Sequence, residues 1–394
     1  MGALCATDDI DIQRVVELKK TVLIGIPCLK TGGTEIQTLH QVEALRDGGY
    51  RCITVCYFEY DFSMVQLFER AGSKVICLSA YGRRPQSQRE IVRFLRTGLK
   101  RVVDEYRPKI AHIQYMTPGS IPIFILKKLG VKTIVATCHT DAALFKSLWL
   151  VHFLQRRLLT AFICVTEAAE RSFFGNSCLY DSLPRLKRHN HFTIPNCLPR
   201  TCQFVADKRF SVAEPTIGVV ARLVPIKGTD LIMPAFSEVL RRFPACRLLI
   251  VGDGQLRVRM EEQQRELGIP PERVEWAGQV KYEQVADYYR RMSIVWMPSR
   301  SEGFGLSAVE AMSQGCPVVA AAVGGLTEVV ADGVDGLLFR PEDSGDLAAK
   351  TIALLENPNL QEWSQKACEH ARRYSFERHK QSLLDLYARL EVMD

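Results

Sequence analysis

Two glutamates eight residues apart mark the stretch of this chain that is best suited to chemistry. Glu302 stands in a polar, glycine-bearing turn over residues 299–305, and Glu310 follows in a helix expected over residues 306–314. That spacing places the second carboxylate about two helical turns beyond the first. Because a carboxylate accepts hydrogen bonds from hydroxyl groups, the pair indicates a ligand that carries several hydroxyls.

The segments around these glutamates supply hydrogen-bond donors for phosphate. A strand over residues 294–297 precedes the first glycine turn, and a strand over residues 317–321 precedes a second turn at Gly324-Gly325 and a helix expected from Thr327. Helix N-termini present unpaired backbone N–H groups, and the helix dipole favours negative charge there. Phosphate donors beside hydroxyl acceptors predict a nucleotide-sugar pocket.

A pair of basic residues lies upstream, near the start of the second half of the chain. A strand over residues 216–220 runs into a loop that contains Arg222 and Lys227, with Gly228 directly after the lysine. A guanidinium and an ammonium that converge on a diphosphate neutralise the charge of the leaving group, as a metal ion does in other enzymes. We therefore expect no metal requirement and no cofactor.

The elements that must position these residues are predicted to form doubly wound parallel sheets, because strands and helices alternate throughout the chain. In such sheets, ligands collect at the carboxyl ends of the strands. The expected strands span residues 22–26, 52–58, 74–77, 110–113, 133–137, 161–165, 216–220, 248–251, 274–277, 294–297 and 317–321.

Three strand ends in the first half of the chain carry candidate ligand-binding residues. Gly32 and Gly33 precede a helix over residues 36–46, and glycines there let the backbone approach a phosphate. His139 and Thr166 each follow a later strand. An ordinary turn and a surface histidine are the alternative interpretations, since neither residue type at a strand end is specific by itself.

A resemblance to a known family rests on two motifs. The segment that contains both glutamates reads SRSEGFGLSAVEAM and continues as G.PVVA…GG..E, and the basic pair follows the pattern Arg-x4-Lys-Gly. Both resemble the signatures of retaining nucleotide-sugar glycosyltransferases with the GT-B fold, in particular family 4. The chain departs from the family at Ser307 and Thr327, where proline is frequent, and at Cys197, where glycine usually follows the asparagine that stands here as Asn196.

The resemblance implies two Rossmann-like domains that face a central cleft. It predicts an acceptor domain over residues 1–198, a donor domain over residues 199–373, and a terminal helix over residues 374–394 that packs back on the first domain. Asn196 would mark the crossover between the domains. The catalytic residues that the resemblance implies are Arg222, Lys227, Glu302 and His139. The donor-binding residues are Gly32, Gly33, Thr166, Gly252, Gly278, Val280, Gly303, Phe304, Gly305, Leu306 and Glu310.

The resemblance assigns different residues to the sugar, the phosphates, the ribose and the base of the donor. Glu302 and His139 would contact the transferred sugar, and Glu310 would hold the ribose hydroxyls. Backbone N–H groups after the first glutamate would bind sugar and phosphate, and backbone groups near Val280 would hold the base. The donor would be a UDP- or GDP-sugar, and the acceptor a hydroxyl of a glycan, a lipid-linked sugar or a small molecule.

Composition bounds the remaining possibilities. A chain of 394 residues with 47% hydrophobic residues is long enough for two cores. The 13 cysteines show no Cys-x-x-Cys spacing, which argues against zinc ribbons and redox motifs and indicates buried thiols in a reducing compartment. The first twenty residues contain no apolar segment typical of a signal peptide, so we expect a cytoplasmic protein.

Charge is spread unevenly over the chain. Residues 1–200 contain 28 Lys and Arg against 17 Asp and Glu, whereas residues 201–394 contain 23 against 27. On a helical wheel, Arg89, Arg93, Arg96 and Lys100 share one face, and the expected helix over residues 144–159 adds Trp149, Phe153 and Leu154 beside Arg156 and Arg157. The two interpretations are solvated helix faces and peripheral attraction to an anionic membrane. Nucleic acid is not expected, because no nucleic-acid-binding motif is present.

The sequence as a whole predicts a retaining, metal-independent glycosyltransferase. Two other functions remain open at this point: an epimerase or hydrolase of nucleotide sugars with the same fold, and a non-catalytic nucleotide-sugar-binding protein. The presence of Glu302, Arg222 and Lys227 argues against the last of these. The identity of the sugar, the base and the acceptor does not follow from the motifs.

Overall fold

The computed structural model describes residues 20–80, 84–114, 116–182, 190–206, 208 and 214–392. The expectation about the first twenty residues therefore lies almost wholly outside the described part of the chain. None of the described helices is long and apolar enough to cross a lipid bilayer.

The first domain is built on a seven-stranded parallel sheet in the order β3-β2-β1-β4-β5-β6-β7. Its strands are β1 (Thr21–Ile26), β2 (Arg51–Cys56), β3 (Lys74–Cys77), β4 (Ile110–Gln114), β5 (Thr133–Cys138), β6 (Ala161–Cys164) and β7 (His191–Thr193). Its helices are α1 (Gly33–Asp47), α2 (Phe62–Arg70), α3 (Gln88–Tyr106), α4 (Met116–Lys128), α5 (Leu148–Arg157) and α6 (Glu167–Phe174). Apart from the edge strand β3, the strands are mostly buried on both faces, as expected for a doubly wound sheet.

The second domain is built on a six-stranded parallel sheet in the order β10-β9-β8-β11-β12-β13. Its strands are β8 (Thr216–Val220), β9 (Arg247–Val251), β10 (Val274–Gly278), β11 (Ile294–Met297), β12 (Val318–Ala321) and β13 (Gly336–Phe339). Its helices are α7 (Ile232–Arg242), α8 (Arg257–Glu266), α9 (Val285–Arg291), α10 (Leu306–Ser313), α11 (Leu326–Val329), α12 (Ser344–Leu355) and α13 (Leu360–Ala371). The predicted pair of doubly wound sheets is confirmed.

The last helix, α14 (Phe376–Val392), returns to the first domain. Its apolar side chains at positions 376, 383, 386, 387 and 390 are buried in the same cluster as residues of β1, β2 and α1. The chain thus leaves the first sheet after Thr193, enters the second at Thr216 and comes back after Tyr374. The predicted boundary at residue 198 lies in the first of these connections.

Amphipathic pattern and capping explain helix α3, which bears the predicted basic face. Leu95, Leu99 and Val102 are buried against the sheet, and the arginines and lysine of the opposite face are exposed. Ser87 and Glu90 form a reciprocal capping box, which satisfies donors at the start of the helix.

The second predicted basic stretch differs from the expectation. Residues 144–159 do not form one helix: a short 3₁₀ turn over Ala142–Leu144 precedes α5, which begins at Leu148. Leu154 is buried in the core, whereas Trp149 and Phe153 are exposed. Helix α11 is also short, with four residues from Leu326, because Val330 already has an extended backbone.

Candidate functional site

The loops after the strands of the second sheet are tied to one another by backbone hydrogen bonds. Gly252 donates its N–H to the Gly278 carbonyl at 2.7 Å, and Leu223 donates to the Asp253 carbonyl at 3.0 Å. Gly252 and Gly278 both have positive φ, and a Cβ at position 252 would collide with the backbone of Ala221. Glycine is therefore required for these loops to approach each other.

Lys227 and Glu302 come from two different loops and form an ion pair. The Lys227 Nζ lies 2.5 Å from the Glu302 Oε2, and both side chains are largely buried, with 23% and 15% of their surface exposed. Ser299 Oγ donates to the same carboxylate oxygen at 3.4 Å. Gly228, with φ +60°, lets the lysine loop lie directly against the Pro298 carbonyl, where any Cβ would collide. The structure thus brings these two predicted catalytic residues together.

Arg222 lies in the same loop as Lys227, with its side chain exposed. Its positive charge affects a carboxyl group of the other domain. Burial raises the pKa of the Glu35 carboxyl, and the Arg222 guanidinium partly offsets that rise. Glu35 stands in the first turn of α1, and its carboxylate accepts a hydrogen bond from Cys28 Sγ at 3.2 Å. Glu35 was not among the predicted site residues, although it follows the Gly32-Gly33 turn closely.

The glycine turn after Glu302 meets the first domain. A Cβ at Gly303 would collide with the His139 carbonyl oxygen, and Thr166 Oγ1 donates to the Gly303 carbonyl at 3.3 Å. On the first domain, a Cβ at Gly33 would lie 3.2 Å from Leu306 Cδ1. Predicted site residues of both domains therefore face each other across a closed cleft.

The start of α10 leaves backbone donors for a ligand. Gly305 has φ +102° and caps the helix, and the first backbone bond here runs from Ala308 N–H to the Gly305 carbonyl at 2.9 Å. The N–H groups of Phe304 and Leu306 precede that bond. The Phe304 side chain is buried and packs edge-on against Tyr374, with 5.3 Å between the ring centroids. Phe304 can therefore offer a ligand its backbone only.

Glu310 is held by different partners from Glu302. Tyr282 and Tyr289 donate hydrogen bonds to its two carboxylate oxygens at 3.2 and 3.3 Å. Burial raises the pKa of the Glu310 carboxyl to about 7, although both tyrosine hydroxyls oppose the rise. These three residues line a cavity of about 380 Å³ together with Cys202 and Gln314. The tyrosines carry no motif in the sequence and were not predicted.

Val280 follows the positive-φ Gly278 and is half-buried against the second domain's core. Asn196 is buried and, with Thr166 and Phe304, lines an interdomain cavity of about 350 Å³. Among the described residues, no hydrogen bond or ion pair joins Val280 or Glu310 to the Lys227–Glu302 pair, and the two glutamates have different partners.

His139 is held by buried neutral side chains. Its Nε2 lies 2.8 Å from Gln114 Oε1, and Gln114 Nε2 donates to Gln41 Oε1 at 2.5 Å. Because the Gln114 amide oxygen is an acceptor, this contact requires a proton on His139 Nε2. Burial lowers the pKa of the His139 imidazole to about 3, so the ring is neutral at physiological pH.

The hydrogen-bond chain continues from Gln41 to the terminal helix. Gln41 Nε2 donates to His112 Nδ1. His112 Nδ1 also lies 2.8 Å from the hydroxyl of Tyr387, which belongs to α14. His112 Nε2 lies 2.6 Å from Thr137 Oγ1. None of Gln41, His112, Gln114 and Tyr387 was predicted as a site residue, and the link from His112 to Tyr387 joins residues 275 positions apart.

A metal site is not evident in the described part of the chain, where no three His, Cys, Asp or Glu side chains gather in a way that could hold an ion.

Two family models match the chain. "Glycosyl transferases group 1" matches residues 204–373, and "Glycosyl transferase 4-like domain" matches residues 32–177. Among curated relatives, the D-inositol 3-phosphate glycosyltransferase of Nocardia farcinica is 38% identical over 191 residues, which is 46% of this chain and 42% of the relative. The enzyme of the same name from Mycolicibacterium smegmatis is 38% identical over 44% of this chain and 40% of the relative. The matches thus span less than half the length of these relatives.

Solved structures share the fold over nearly the whole chain. Anabaena Alr3699/HepE in complex with UDP and glucose superposes with a TM-score of 0.74 at 19% identity and covers 94% of this chain and 100% of its own. Sucrose-phosphate synthase from Thermosynechococcus elongatus has a TM-score of 0.75 at 20% identity and covers 95% and 100%. At such identities the likeness concerns the fold.

Proposed function

The chain belongs to the GT-B glycosyltransferases of the family 4 type, and we propose that it moves a sugar from a nucleoside diphosphate to an acceptor hydroxyl with retention of anomeric configuration. The observation that carries the proposal is the Lys227–Glu302 pair, 2.5 Å apart at the carboxyl edge of the second sheet. A cation for the leaving diphosphate and a carboxylate for the sugar hydroxyls are adjacent there, as they must be where the glycosidic bond breaks.

In the proposed reaction, the bond between the anomeric carbon and the diphosphate oxygen breaks, and its electron pair stays on that oxygen. Lys227 and Arg222 stabilise the charge that develops, and no metal takes part. The acceptor hydroxyl attacks from the face that the diphosphate leaves, which retains the configuration. Its proton passes to the departing phosphate oxygen, so that the products are a glycoside and a nucleoside diphosphate.

The first domain supplies neutral groups for the transferred sugar. The His139 imidazole is uncharged and oriented by Gln114, so it offers hydrogen bonding without competing for the diphosphate. From the second domain, the N–H groups of Phe304, Gly305 and Leu306 add donors at a helix N-terminus. Glu310 holds the ribose in this proposal, and the adjacent cavity supports that role because it gives the carboxylate an open side.

The proposed donor is a UDP- or GDP-sugar. The Anabaena structural neighbour was crystallised with UDP-glucose as well as with UDP, which supports a nucleotide sugar in a fold of this kind. The acceptor is a hydroxyl of a glycan, a lipid-linked sugar or a small molecule. The recurrence of D-inositol 3-phosphate glycosyltransferases among the relatives supports testing polyol phosphates first.

The proposal places the acceptor side of a cytoplasmic enzyme on the anionic inner face of a membrane. Helices α3, α4 and α5 pack on the same side of the first sheet through Leu99, Leu126 and Leu154. Their outer surface, the basic face, consists of exposed basic and aromatic side chains: Arg89, Arg93, Arg96, Lys100, Phe124, Lys127, Lys128, Trp149, Phe153, Arg156 and Arg157. Trp149 is 73% exposed, and its ring stacks on Phe153 at 5.6 Å. Aromatic rings among cations suit the lipid headgroup region.

The test is incubation of the protein with a panel of nucleotide sugars, followed by measurement of free nucleoside diphosphate with and without acceptor extract. We expect release that depends on the acceptor, and a product whose anomeric configuration matches the donor. Equal release without acceptor would identify a hydrolase. An altered donor without release would identify an epimerase, and binding without either change would identify a nucleotide-sugar sensor.

A further inference from the structure

Glu328 of the second domain holds the start of a helix in the first domain. Its Oε2 accepts the backbone N–H of Glu167 at 2.9 Å, and its Oε1 accepts that of Ala168. Arg171, on the same helix α6, lies 3.3 Å from Oε1. These three contacts join residues that are 157 to 161 positions apart in the chain.

The helix needs this carboxylate because its own cap is incomplete. Thr166 is the N-cap residue of α6, and its hydroxyl accepts only the Ala169 N–H, at 3.2 Å. The first N–H groups of any helix lack partners within the helix. Those of Glu167 and Ala168 are therefore satisfied only by Glu328 in the described structure, and a carboxylate at this end also interacts favourably with the helix dipole.

The capped end lies at the cleft. Thr166, directly before the two capped residues, donates to the carbonyl of Gly303, and the same glycine abuts His139. Glu328 itself follows the Gly324-Gly325 turn, and Gly325 donates its N–H to the Glu302 carbonyl at 2.9 Å. One side chain thus connects the turn behind Glu302 to the strand end that carries Thr166.

We propose that Glu328 is an interdomain clamp: by capping α6 from the opposite domain, it holds the cleft closed with His139 and Thr166 against the Glu302–Gly303 turn. Glu328 acts as a positioning residue, since it touches neither the proposed diphosphate site nor the proposed sugar site. Most of the effect comes from the two backbone bonds, because Arg171 is half exposed and an exposed ion pair contributes little. The proposal rests on the proposed function for what the closed cleft does, although the clamp itself can be measured without activity.

The primary test is amide hydrogen exchange, followed peptide by peptide, on the full-length chain. In Glu328→Ala, we expect the amides of Glu167 and Ala168 to exchange at least about fivefold faster, the factor that corresponds to the loss of a helix cap. The remainder of α6 should keep its protection. Thr327→Ala is the matched control, because its hydroxyl bonds only to Gly324 within the same turn. Unchanged exchange at residues 167 and 168 in Glu328→Ala would overturn the proposal.

A second pair of variants tests the clamp from the other domain. Glu167→Pro removes the N–H that donates to Glu328, at the first helical position, where proline is well tolerated. Thr166 before it already has the extended backbone that a following proline requires. Glu167→Ala keeps the N–H and serves as the control. Glu167→Pro should speed exchange at Ala168 and should widen the cleft in small-angle scattering, whereas Glu167→Ala should do neither; equal behaviour of the two would contradict the clamp.

Kinetics separates positioning from a general loss of structure. Free nucleoside diphosphate binds the second domain in the proposed function, so Glu328→Ala should leave its affinity within about twofold of wild type while kcat falls. Glu328→Gln, which keeps one acceptor oxygen of the same size, should recover part of kcat. If transfer is absent in the wild type, the proposed function fails and the exchange result still decides the clamp. If kcat and affinity fall together in Glu328→Ala, the residue is merely structural.

Discussion

The charged residues of the predicted site lie on the second domain's side of the cleft, whereas the predicted site residues on the first domain's side are uncharged. Lys227 and Glu302 neutralise each other at 2.5 Å, and Arg222 stands exposed beside them. Across the cleft, burial lowers the pKa of His139 and keeps the ring uncharged, and Gln114 orients it. The division matches the parts of a nucleotide sugar, because the diphosphate needs countercharge and the sugar needs directional hydrogen bonds.

The net charge of the two halves of the chain does not follow the charge of the site residues. The first 200 residues contain 28 basic against 17 acidic side chains, and the second half, which carries the cationic site, contains 23 against 27. The surplus of the first half lies partly on the outer surfaces of α3, α4 and α5, away from the site. The charge at the cleft and the net charge of a domain therefore arise from different residues, and different substitutions can change each of them.

The largest expected effect concerns the basic face. Reversing charge at Arg93, Arg96 and Lys100 should abolish sedimentation with liposomes that contain acidic lipids, since each basic residue near such a surface contributes ~1 kcal/mol. Wild-type protein should sediment at low salt and be released as salt rises, because exposed charges are screened within ~8 Å at physiological ionic strength.

Two comparisons control the liposome experiment. Neutral liposomes should not sediment the wild-type protein, and the charge-reversed variant should bind nucleoside diphosphate normally, because that site lies in the other domain. If the wild type ignores acidic liposomes at low salt, the basic face is a solvated surface and the acceptor is a soluble molecule.

The next largest effect concerns the leaving group. Lys227→Ala should lower turnover by at least ~100-fold, the size observed when one group that stabilises a transition state is removed. Folding should be retained, because the lysine lies in a surface loop and its partner Glu302 keeps the hydrogen bond from Ser299. Turnover within a few-fold of wild type would refute the assignment of Lys227 to the diphosphate.

The two glutamates should respond differently to the same substitution. Glu310→Gln should weaken nucleoside diphosphate binding by about tenfold, because ribose contacts exist before and during the reaction. Glu302→Gln should leave that affinity nearly intact and should reduce transfer. Calorimetry on both variants decides the matter, and equal losses of affinity would show that the roles are wrongly divided.

Sequence reasoning predicted the charged side of the site better than the neutral side. Lys227 and Glu302 lie in motifs with glycines, which indicate loops that pack closely against each other. Contact between the two residues could therefore be expected. Gln114, Gln41 and Tyr387 lie in ordinary strand and helix patterns, and only the fold brings them together. Polar residues in a buried strand, as His112 and Gln114 are in β4, are the signal that sequence reasoning did not use.

The limits of the helices depended on tertiary contacts. The helix expected from Thr327 begins at Leu326 and lasts one turn, since Val330 is already extended and buried in the core. Likewise, the helix expected over residues 144–159 is divided, because Ala142–Leu144 forms a 3₁₀ turn and α5 begins only at Leu148, after the capping residue Ser147. Periodicity indicates that a helix is present more reliably than where it begins.

Removing the support of His139 should have a smaller effect than removing charge. In Gln114→Met, His139 loses the acceptor for its Nε2 proton, and we expect the KM for the nucleotide sugar to rise about fivefold through a less fixed ring. Affinity for the free nucleoside diphosphate should not change, because the proposed partner of His139 is the sugar. Tyr387→Phe is the comparison variant at the far end of the chain of hydrogen bonds and should have little effect on KM; an equal rise in both would indicate general loosening of the domain.

A pH dependence is expected on the charged side of the cleft. Burial raises the pKa of the Glu310 carboxyl from 4.5 to about 7, so the group becomes protonated as the pH falls through neutrality. Only the carboxylate accepts hydrogen bonds from both ribose hydroxyls, and nucleoside diphosphate affinity should therefore fall between pH 8 and pH 6, by at most about tenfold. Glu310→Gln should lack this component and should retain the part that comes from titration of the phosphate itself.

The effect of Glu310 on stability has the opposite pH dependence to its expected effect on nucleotide affinity. A carboxyl whose pKa is higher in the folded state stabilises the fold at low pH, and that contribution is lost as the pH rises through 7, so protonation of Glu310 favours the folded protein. The decline in affinity should thus occur with no fall in melting temperature attributable to this group. An identical pH profile for wild type and Glu310→Gln in calorimetry would show that the buried carboxylate does not meet the nucleotide, and the contrast between the two glutamates would then need another explanation.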